Sequence, residues 1–366
     1  MFSFRLLSTS LLLMSGLMIV VPEPIYRPAQ AVPVAQANKD RQLFELFKKG
    51  KELVDANNLD MALRTYQQAA QLDAKNPRIF SAIGYIQARR KDFTRAIEAY
   101  QKAIALDGKN ANFHYALAYS LGNLGQNEQA AAAYQKVIEL DPKNVRAYEG
   151  LAVIQSRRQK YDEAFKNFQK VIEIDPKNGG AYNSIGLIHL KSKKVAPALE
   201  SLEKAAELSP KNGEIQINLA LAYAAQGKPE AGVAALEKAV KLDPKNPRVH
   251  LRTGELLKSQ GSYDRALTAY KRALQEDKQL GAAHEGIGDL LMQKDDALGA
   301  VVAFRQAAKL DQRNPGVLYK LAEALIARNR HREAIPELRK ARQLYQSQQQ
   351  EEGVKKVDDL LKKLSA

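Results

Sequence analysis

The sequence predicts an all-α solenoid: nine helix–turn–helix units stacked in series and closed by a C-terminal helix. Three columns of residues predict it. A small residue recurs every 34 positions, as Gly50, Gly84, Ala118, Ala152, Gly186, Ala220, Gly254, Gly288 and Ala322. A second small column keeps step with it, as Ala62, Ala96, Ala130, Ala164, Ala198, Gly232, Ala266, Ala300 and Ala334. The third column is bulky, as Tyr66, Tyr100, Tyr134, Phe168, Leu202, Leu236, Tyr270, Phe304 and Leu338. A fixed period of this length marks stacked supersecondary units, each too small to bury its apolar face alone.

The nine units occupy 43–76, 77–110, 111–144, 145–178, 179–212, 213–246, 247–280, 281–314 and 315–348, without an insertion. Within a unit, small residues at positions eight, twenty and twenty-seven let helices approach closely. Large residues at positions four, seven, eleven and twenty-four fill the remaining space. A Leu-Asp-Pro-Lys-Asn hinge closes many units, as in Leu140-Asp141-Pro142-Lys143-Asn144 and Leu242-Asp243-Pro244-Lys245-Asn246. Its proline ends the second helix, and its asparagine is a good N-cap for the next first helix. Departures are local: Gly108, Lys278 and Gln312 replace the hinge proline, and Pro229 falls in the sixth unit's inter-helix turn. Pro336, inside the ninth unit's second helix, is expected to kink it.

These columns resemble the tetratricopeptide repeat, and the resemblance covers more than four fifths of the chain. It implies a right-handed superhelix whose first helices line a concave groove that binds peptides. Helix formers dominate, 45% of residues are hydrophobic, and Trp and Cys are absent. A solenoid of this length counts as one elongated domain, because it has nearest-neighbour interfaces in place of a single core.

The N-terminus differs in composition. A short start carrying Arg5 precedes the apolar run Leu6 to Val21, which Pro22 and Pro24 break. Ala29-Gln30-Ala31 and Ala35-Gln36-Ala37 follow as small-residue sites. This is the order of a secretory signal peptide over residues 1–31, cleaved after Ala31 or Ala37, with 32–42 as a linker. An uncleaved membrane anchor is the alternative. Either reading puts the repeats outside the cytoplasm, secreted or in the periplasm or an equivalent lumen. At the other end, Val354, Val357, Leu361 and Leu364 recur at helical spacing, so 349–366 is expected to cap the array.

The net charge is +15. Lys109, Lys143, Lys177, Lys211 and Lys245 share one hinge position and form a solvated ladder along one edge. The pairs Arg89-Arg90 and Arg157-Arg158 end first helices, where positive charge meets the negative end of the helix dipole. The ladder suits acidic partners or an anionic membrane surface; with an export signal present, nucleic acid is not expected as a partner.

In each first helix, positions four, seven, eight and eleven form the stripe expected to be buried. Positions two, five, nine and twelve form a second stripe, about 130° round the helix. The resemblance makes the second stripe the candidate groove. It holds Tyr85, Tyr115 and Tyr119 in the second and third units, and Leu187, Leu190, Ile217 and Leu221 in the fifth and sixth. An apolar, aromatic stripe left uncovered by stacking is a sign of a partner site; the other reading makes these side chains padding between first helices. In the last three units the same positions turn acidic, as Glu255, Glu285, Asp289 and Glu323. One period apart, Glu255, Asp289 and Glu323 are expected to form a row, able to hold a basic peptide or a hard divalent cation such as manganese, or simply to form a solvated face. His250 and His284 fall at packing position four and read as core histidines.

Several functions fail against the residues. Position nine has no Asn, so the carboxylate clamp of tetratricopeptide co-chaperones is not expected. No Gly-rich phosphate loop, metalloprotease His pair or nucleophile elbow is present, and the chain is not expected to be an enzyme or to need a cofactor. The sequence points to an exported adaptor or scaffold that binds a protein or peptide segment and assists assembly of an extracytoplasmic or membrane complex. Nine uninterrupted repeats behind a signal also resemble the cyanobacterial periplasmic factors of the PratA type. That resemblance implies help in photosystem II assembly and manganese supply. A membrane-surface scaffold held by basic charge is the third reading.

Overall fold

A computed structural model describes residues 34–365, and every regular element among them is an α-helix. The signal-peptide reading of residues 1–31 lies outside the described residues, and no described helix is long and apolar enough to cross a membrane. The helices come in pairs: α1 (Val34–Asp55) and α2 (Leu59–Leu72), α3 (Pro77–Arg89) and α4 (Phe93–Leu106), α5 (Ala111–Asn123) and α6 (Asn127–Leu140). Then come α7 (Val145–Arg157) and α8 (Tyr161–Ile174), α9 (Gly179–Lys191) and α10 (Val195–Leu208), α11 (Gly213–Ala225) and α12 (Pro229–Leu242). The series ends with α13 (Pro247–Ser259) and α14 (Tyr263–Glu276), α15 (Gly281–Gln293) and α16 (Ala297–Leu310), α17 (Pro315–Ala327) and α18 (His331–Ser347), and a single α19 (Glu351–Ser365). The described residues form two compact units, divided between Ala181 and Tyr182.

Two local devices set the helix boundaries. The hinge asparagines Asn76, Asn110, Asn144, Asn212, Asn246 and Asn314 each accept a hydrogen bond from a backbone N–H of the helix they precede. This satisfies one of the donors a helix start leaves orphaned. The inter-helix turn places its fifteenth residue at positive φ in every pair: Asn57, Lys91, Gly125, Gln159, Lys193, Gly227, Gly261, Asp295 and Asn329. Three of these nine are glycine and three are Asn or Asp, which tolerate the left-handed region, so Lys91, Gln159 and Lys193 take it against their own preference.

Pro229 does not disturb the sixth turn. It is the first residue of α12, where the absent N–H would have had no partner. The α18 helix runs on through Pro336 from His331 to Ser347. Residues 34–42, expected as a linker, are helical and form the first turns of α1. After Pro33 this stretch has no Gly or Pro, and the Gln36 side-chain amide donates to Asp40 one turn on, at 2.9 Å.

Between the helices of a pair, the small eighth residue faces the bulky twenty-fourth. A Cβ on Gly84 would lie 2.8 Å from the Tyr100 ring; on Gly254, 2.6 Å from Tyr270; and on Gly288, 2.5 Å from Phe304. Those rings are almost wholly buried. In the first unit the core passes from Phe47 and Tyr66 to Ile79 and Ile86 of the following pair. In the second it ends on α19, whose Val357 is buried against a cluster with Leu318, Leu321 and Leu338. Arg342 fastens that helix through Asp358 at 2.6 Å.

Paired arginines add a clamp between successive pairs in the first unit. Arg89 donates to the Val54 carbonyl at 3.0 Å and Arg157 to the Gly122 carbonyl at 2.9 Å. Each adds a second hydrogen bond to a carbonyl near the end of the preceding first helix, which already accepts a turn amide, from Asn57 or from Gly125. Their neighbours Arg90 and Arg158 pair with Asp60 and Glu128. The sequence marks these cations as helix-terminal charge; their reach into the preceding repeat follows from stacking.

Candidate partner-binding face

The first unit gathers its tyrosines around two buried rings. Tyr100 and Tyr134, on α4 and α6, are core residues. Burial pushes both phenols up, and Tyr85 and Tyr119 add to the effect at Tyr100, as Tyr115 and Tyr119 do at Tyr134. Tyr115 meets Tyr134 edge-to-face at 5.7 Å, and burial pushes its own phenol up to about 12. Among the described residues the Tyr100 hydroxyl has no hydrogen-bond partner. Tyr85, Tyr115 and Tyr119 stand on α3 and α5, and of the three only Tyr115 meets one of these two buried rings edge-to-face.

The three do not share one environment. Each is half-buried. Tyr85 packs against the first-unit core, with the Arg89 guanidinium over its ring at 5.9 Å. Tyr119 meets Phe93 edge-to-face at 6.5 Å. Tyr115 lies against its own pair's core and is the most engaged of the three. Phe93 opens a second helix, outside the stripe considered from the sequence, so a search restricted to first helices passes over it.

In the second unit, Leu187, Leu190 and Leu221 are half-buried. Leu190 pads the cluster of Leu199, Leu202, Leu219 and Ala222. Ile217 departs from the expectation. It is 1% exposed and sits in a core with Ala220, Ala235, Leu236 and Val249. The reason lies in position five itself: in α11 it points between its own helix and the start of α13, and Val249 closes over it. Phe47, Ser81 and Leu251, at the same position in other pairs, are buried too. Asn218 of α11 donates to Asn183 of α9 at 2.9 Å on the same face.

Three of the four acidic residues are ion-paired. Glu255 is bound by Arg252 at 2.5 Å. Asp289 lies between Lys258 and Lys320, at 2.8 Å from each, and Lys320 also reaches Glu285 at 2.8 Å. Glu323 is exposed at the far end. The result is a ladder of alternating charge joining α13, α15 and α17. Among the described residues, no group of three or more His, Asp or Glu side chains could hold a metal ion. The cations come from positions six and twelve, and opposite charges 31 and 35 residues apart are the signal that reveals them. His250 and His284 bond hinge carbonyls: the Nε2 atoms donate to Pro244 at 2.8 Å and to Lys278 at 3.2 Å.

Glu149 of α7 is half-buried on the same helix face as Tyr115. Burial raises its carboxyl above the usual range, while the Asn178 amide donates to it at 2.9 Å and works the other way.

Comparison with known proteins agrees with this architecture. Residues 51–182 match the model of the cytochrome c-type biogenesis protein H TPR domain. Tetratricopeptide repeat models match 179–212, 217–281 and 291–351. No curated protein is significantly similar to the chain. Among solved structures, a tetratricopeptide repeat protein from Parabacteroides merdae is 20% identical, with a TM-score of 0.58 over 69% of this chain and 99% of the other. Yeast Tom70 is 17% identical, with a TM-score of 0.51 over 88% and 96%. Pseudomonas aeruginosa pilF is 24% identical, with a TM-score of 0.50 over 59% and 98%. At such identities the likeness concerns the fold alone.

Proposed function

We propose that this chain, a member of the tetratricopeptide repeat superfamily, is an exported scaffold whose first-unit tyrosine face captures a segment of a partner protein. The observation that carries this reading is that Tyr85, Tyr115 and Tyr119, one stripe on α3 and α5, are all half-buried, with Tyr119 against Phe93 and Arg89 over Tyr85. Half-buried aromatics offer large apolar area at low conformational cost, and such anchors dominate protein interfaces. The second unit's face is less suited to capture, because its carboxylates already hold lysines and arginine.

Two further strands support a role in assembling a membrane or extracytoplasmic complex. The model matching residues 51–182 takes its name from cytochrome c biogenesis. The N-terminal order of a positive start, an apolar run and Ala-x-Ala sites is that of an export signal. Fusion of residues 1–37 to a periplasmic reporter tests export: an inactive reporter would overturn it.

The binding face is tested by capture from an extracytoplasmic extract, with the chain from Val34 onward beside its Tyr85→Ala/Tyr115→Ala/Tyr119→Ala variant. Circular dichroism checks that both are folded. A partner held by the first and lost by the folded variant supports the tyrosine face. Equal capture by both would make the tyrosines padding and refute the reading.

A further inference from the structure

From α12 onward the second helices end on an edge that lacks the glutamate pairing a third-turn lysine in earlier repeats. In α6, α8 and α10 a lysine in the third turn pairs with a glutamate three residues on: Lys136 with Glu139, Lys170 with Glu173, and Lys204 with Glu207, at 2.6–2.9 Å. Those bridges show that the two positions are neighbours on the helix surface. From α12 onward the same two positions read Lys238 and Lys241, Arg272 and Gln275, Gln306 and Lys309. The hinges that follow α12 and α16 add Lys245 and Arg313. All these cations are exposed, and none is in an ion pair among the described residues. Asp277 and Asp311 accept hinge amides, and Glu237, Asp243 and Glu276 leave the edge with an excess of positive charge.

Leucines sit among these charges. Leu242 and Leu310, the last residues of α12 and α16, are 41% and 39% exposed. Each lies against a glycine that starts a first helix, Gly213 or Gly281. The edge thus alternates Lys241, Leu242 and Lys245 with Lys309, Leu310 and Arg313.

We propose that this edge docks on an anionic lipid bilayer, with Leu242 and Leu310 entering the headgroup–acyl boundary and the flanking cations meeting lipid phosphates. Charge complementarity commits the edge to an anion. Two features favour a lipid surface over an acidic polypeptide. Lysines outnumber arginines, and a lysine is a mobile point charge without the fork that fixes a carboxylate's orientation. The exposed leucines lie level with the charges at helix ends, the arrangement of an interfacial anchor. The proposal stands independently of the tyrosine face.

The test is flotation of the chain from Val34 onward, which keeps every described helix and omits the apolar run 6–21. Vesicles are phosphatidylcholine with or without phosphatidylglycerol. The protein is expected to float only with phosphatidylglycerol, and to detach as salt screens the charges. Lys241→Gln/Lys309→Gln is expected to weaken partitioning about 30-fold, on the order of fivefold per cation. Leu242→Ser/Leu310→Ser weakens it with the salt dependence retained. The matched control Lys109→Gln/Lys143→Gln, in the first unit, removes the same charge and is expected to change partitioning by less than about twofold.

Equal loss in that control would reduce the effect to net charge and overturn the proposal. So would equal binding to vesicles without phosphatidylglycerol. Polyglutamate is the third arm: if it binds and Lys241→Gln/Lys309→Gln abolishes that binding while leaving the vesicles bound, the edge reads acidic polypeptide instead. Unchanged circular dichroism in each variant keeps loss of folding out of the comparison.

Discussion

Gly254→Ala tests whether the small-residue column exists to admit the ring opposite it. A Cβ at 254 would lie 2.6 Å from both Cδ1 and Cε1 of Tyr270 and 3.0 Å from Cγ. Ordinary contact begins at 3.4 Å, so the ring would have to retreat by about 0.8 Å. It has nowhere to go. A Cβ on Gly286 of the next pair would lie 2.5 Å from Cζ of the same ring, so the ring already fills the space that Gly286 leaves. Overpacking of this kind costs about 1–3 kcal/mol, and closure on both sides argues for the upper end. The gain in helix propensity from Gly to Ala returns about 1 kcal/mol. The net expectation is a loss of about 2 kcal/mol, read from the urea midpoint by far-UV circular dichroism at constant slope. Alanine stands opposite leucine in two repeats, Ala220 with Leu236 and Ala322 with Leu338, and opposite a ring in two, Ala118 with Tyr134 and Ala152 with Phe168, but the Tyr270 ring is closed in on both sides by glycines. Adding Tyr270→Leu to Gly254→Ala should therefore cost less than the two changes summed, with a coupling of about 1 kcal/mol or more. A Gly254→Ala protein as stable as wild type, or strict additivity with Tyr270→Leu, would refute the steric account.

Three further outcomes are expected. A carboxyl whose folded pKa is raised lends stability at low pH and loses it as pH climbs through the folded value. At neutral pH the ionised Glu149 therefore weakens the fold. Glu149→Gln keeps an acceptor for Asn178, so its urea midpoint should exceed that of wild type at pH 7, with the advantage fading as pH falls through the carboxylate range; a lower midpoint at pH 7 would contradict this. Gly227 has φ of 78° and nothing within 4 Å of a Cβ, so Gly227→Ala should cost about 1 kcal/mol through the backbone alone. Gly227→Asn should cost less, and equal losses in chemical denaturation would count against that cause. Lys320→Met leaves Glu285 without its lysine and Asp289 with Lys258 alone. A loss of about 1 kcal/mol at low salt is expected, shrinking as salt rises, and a salt-independent loss would make Lys320 a packing residue.

The sequence by itself determined the repeating unit, because helix-pair packing is local. Ala62 and Tyr66, or Ala266 and Tyr270, lie four apart on one helix and face a small residue of the partner helix twelve or sixteen positions earlier. That geometry imposes the 34-residue columns. The hinge was legible for the same reason: Asn144 or Asn246 caps the helix that starts at the next residue. The tertiary structure decided what happens between one pair and the next. Ile217 reads as groove from its helix position, yet Val249 of the following pair buries it. Asp289 reads as an open carboxylate, yet Lys258 and Lys320, 31 residues away on either side, reach it. Lys91, Gln159 and Lys193 occupy the left-handed region with no sequence signal for it, because the tight connection between packed helices forces the backbone there. Stacking brings residues about one period apart side by side, but which side chain fills the gap depends on the volumes and charges meeting there. That last choice is made by packing between repeats, and the pattern within one repeat does not contain it.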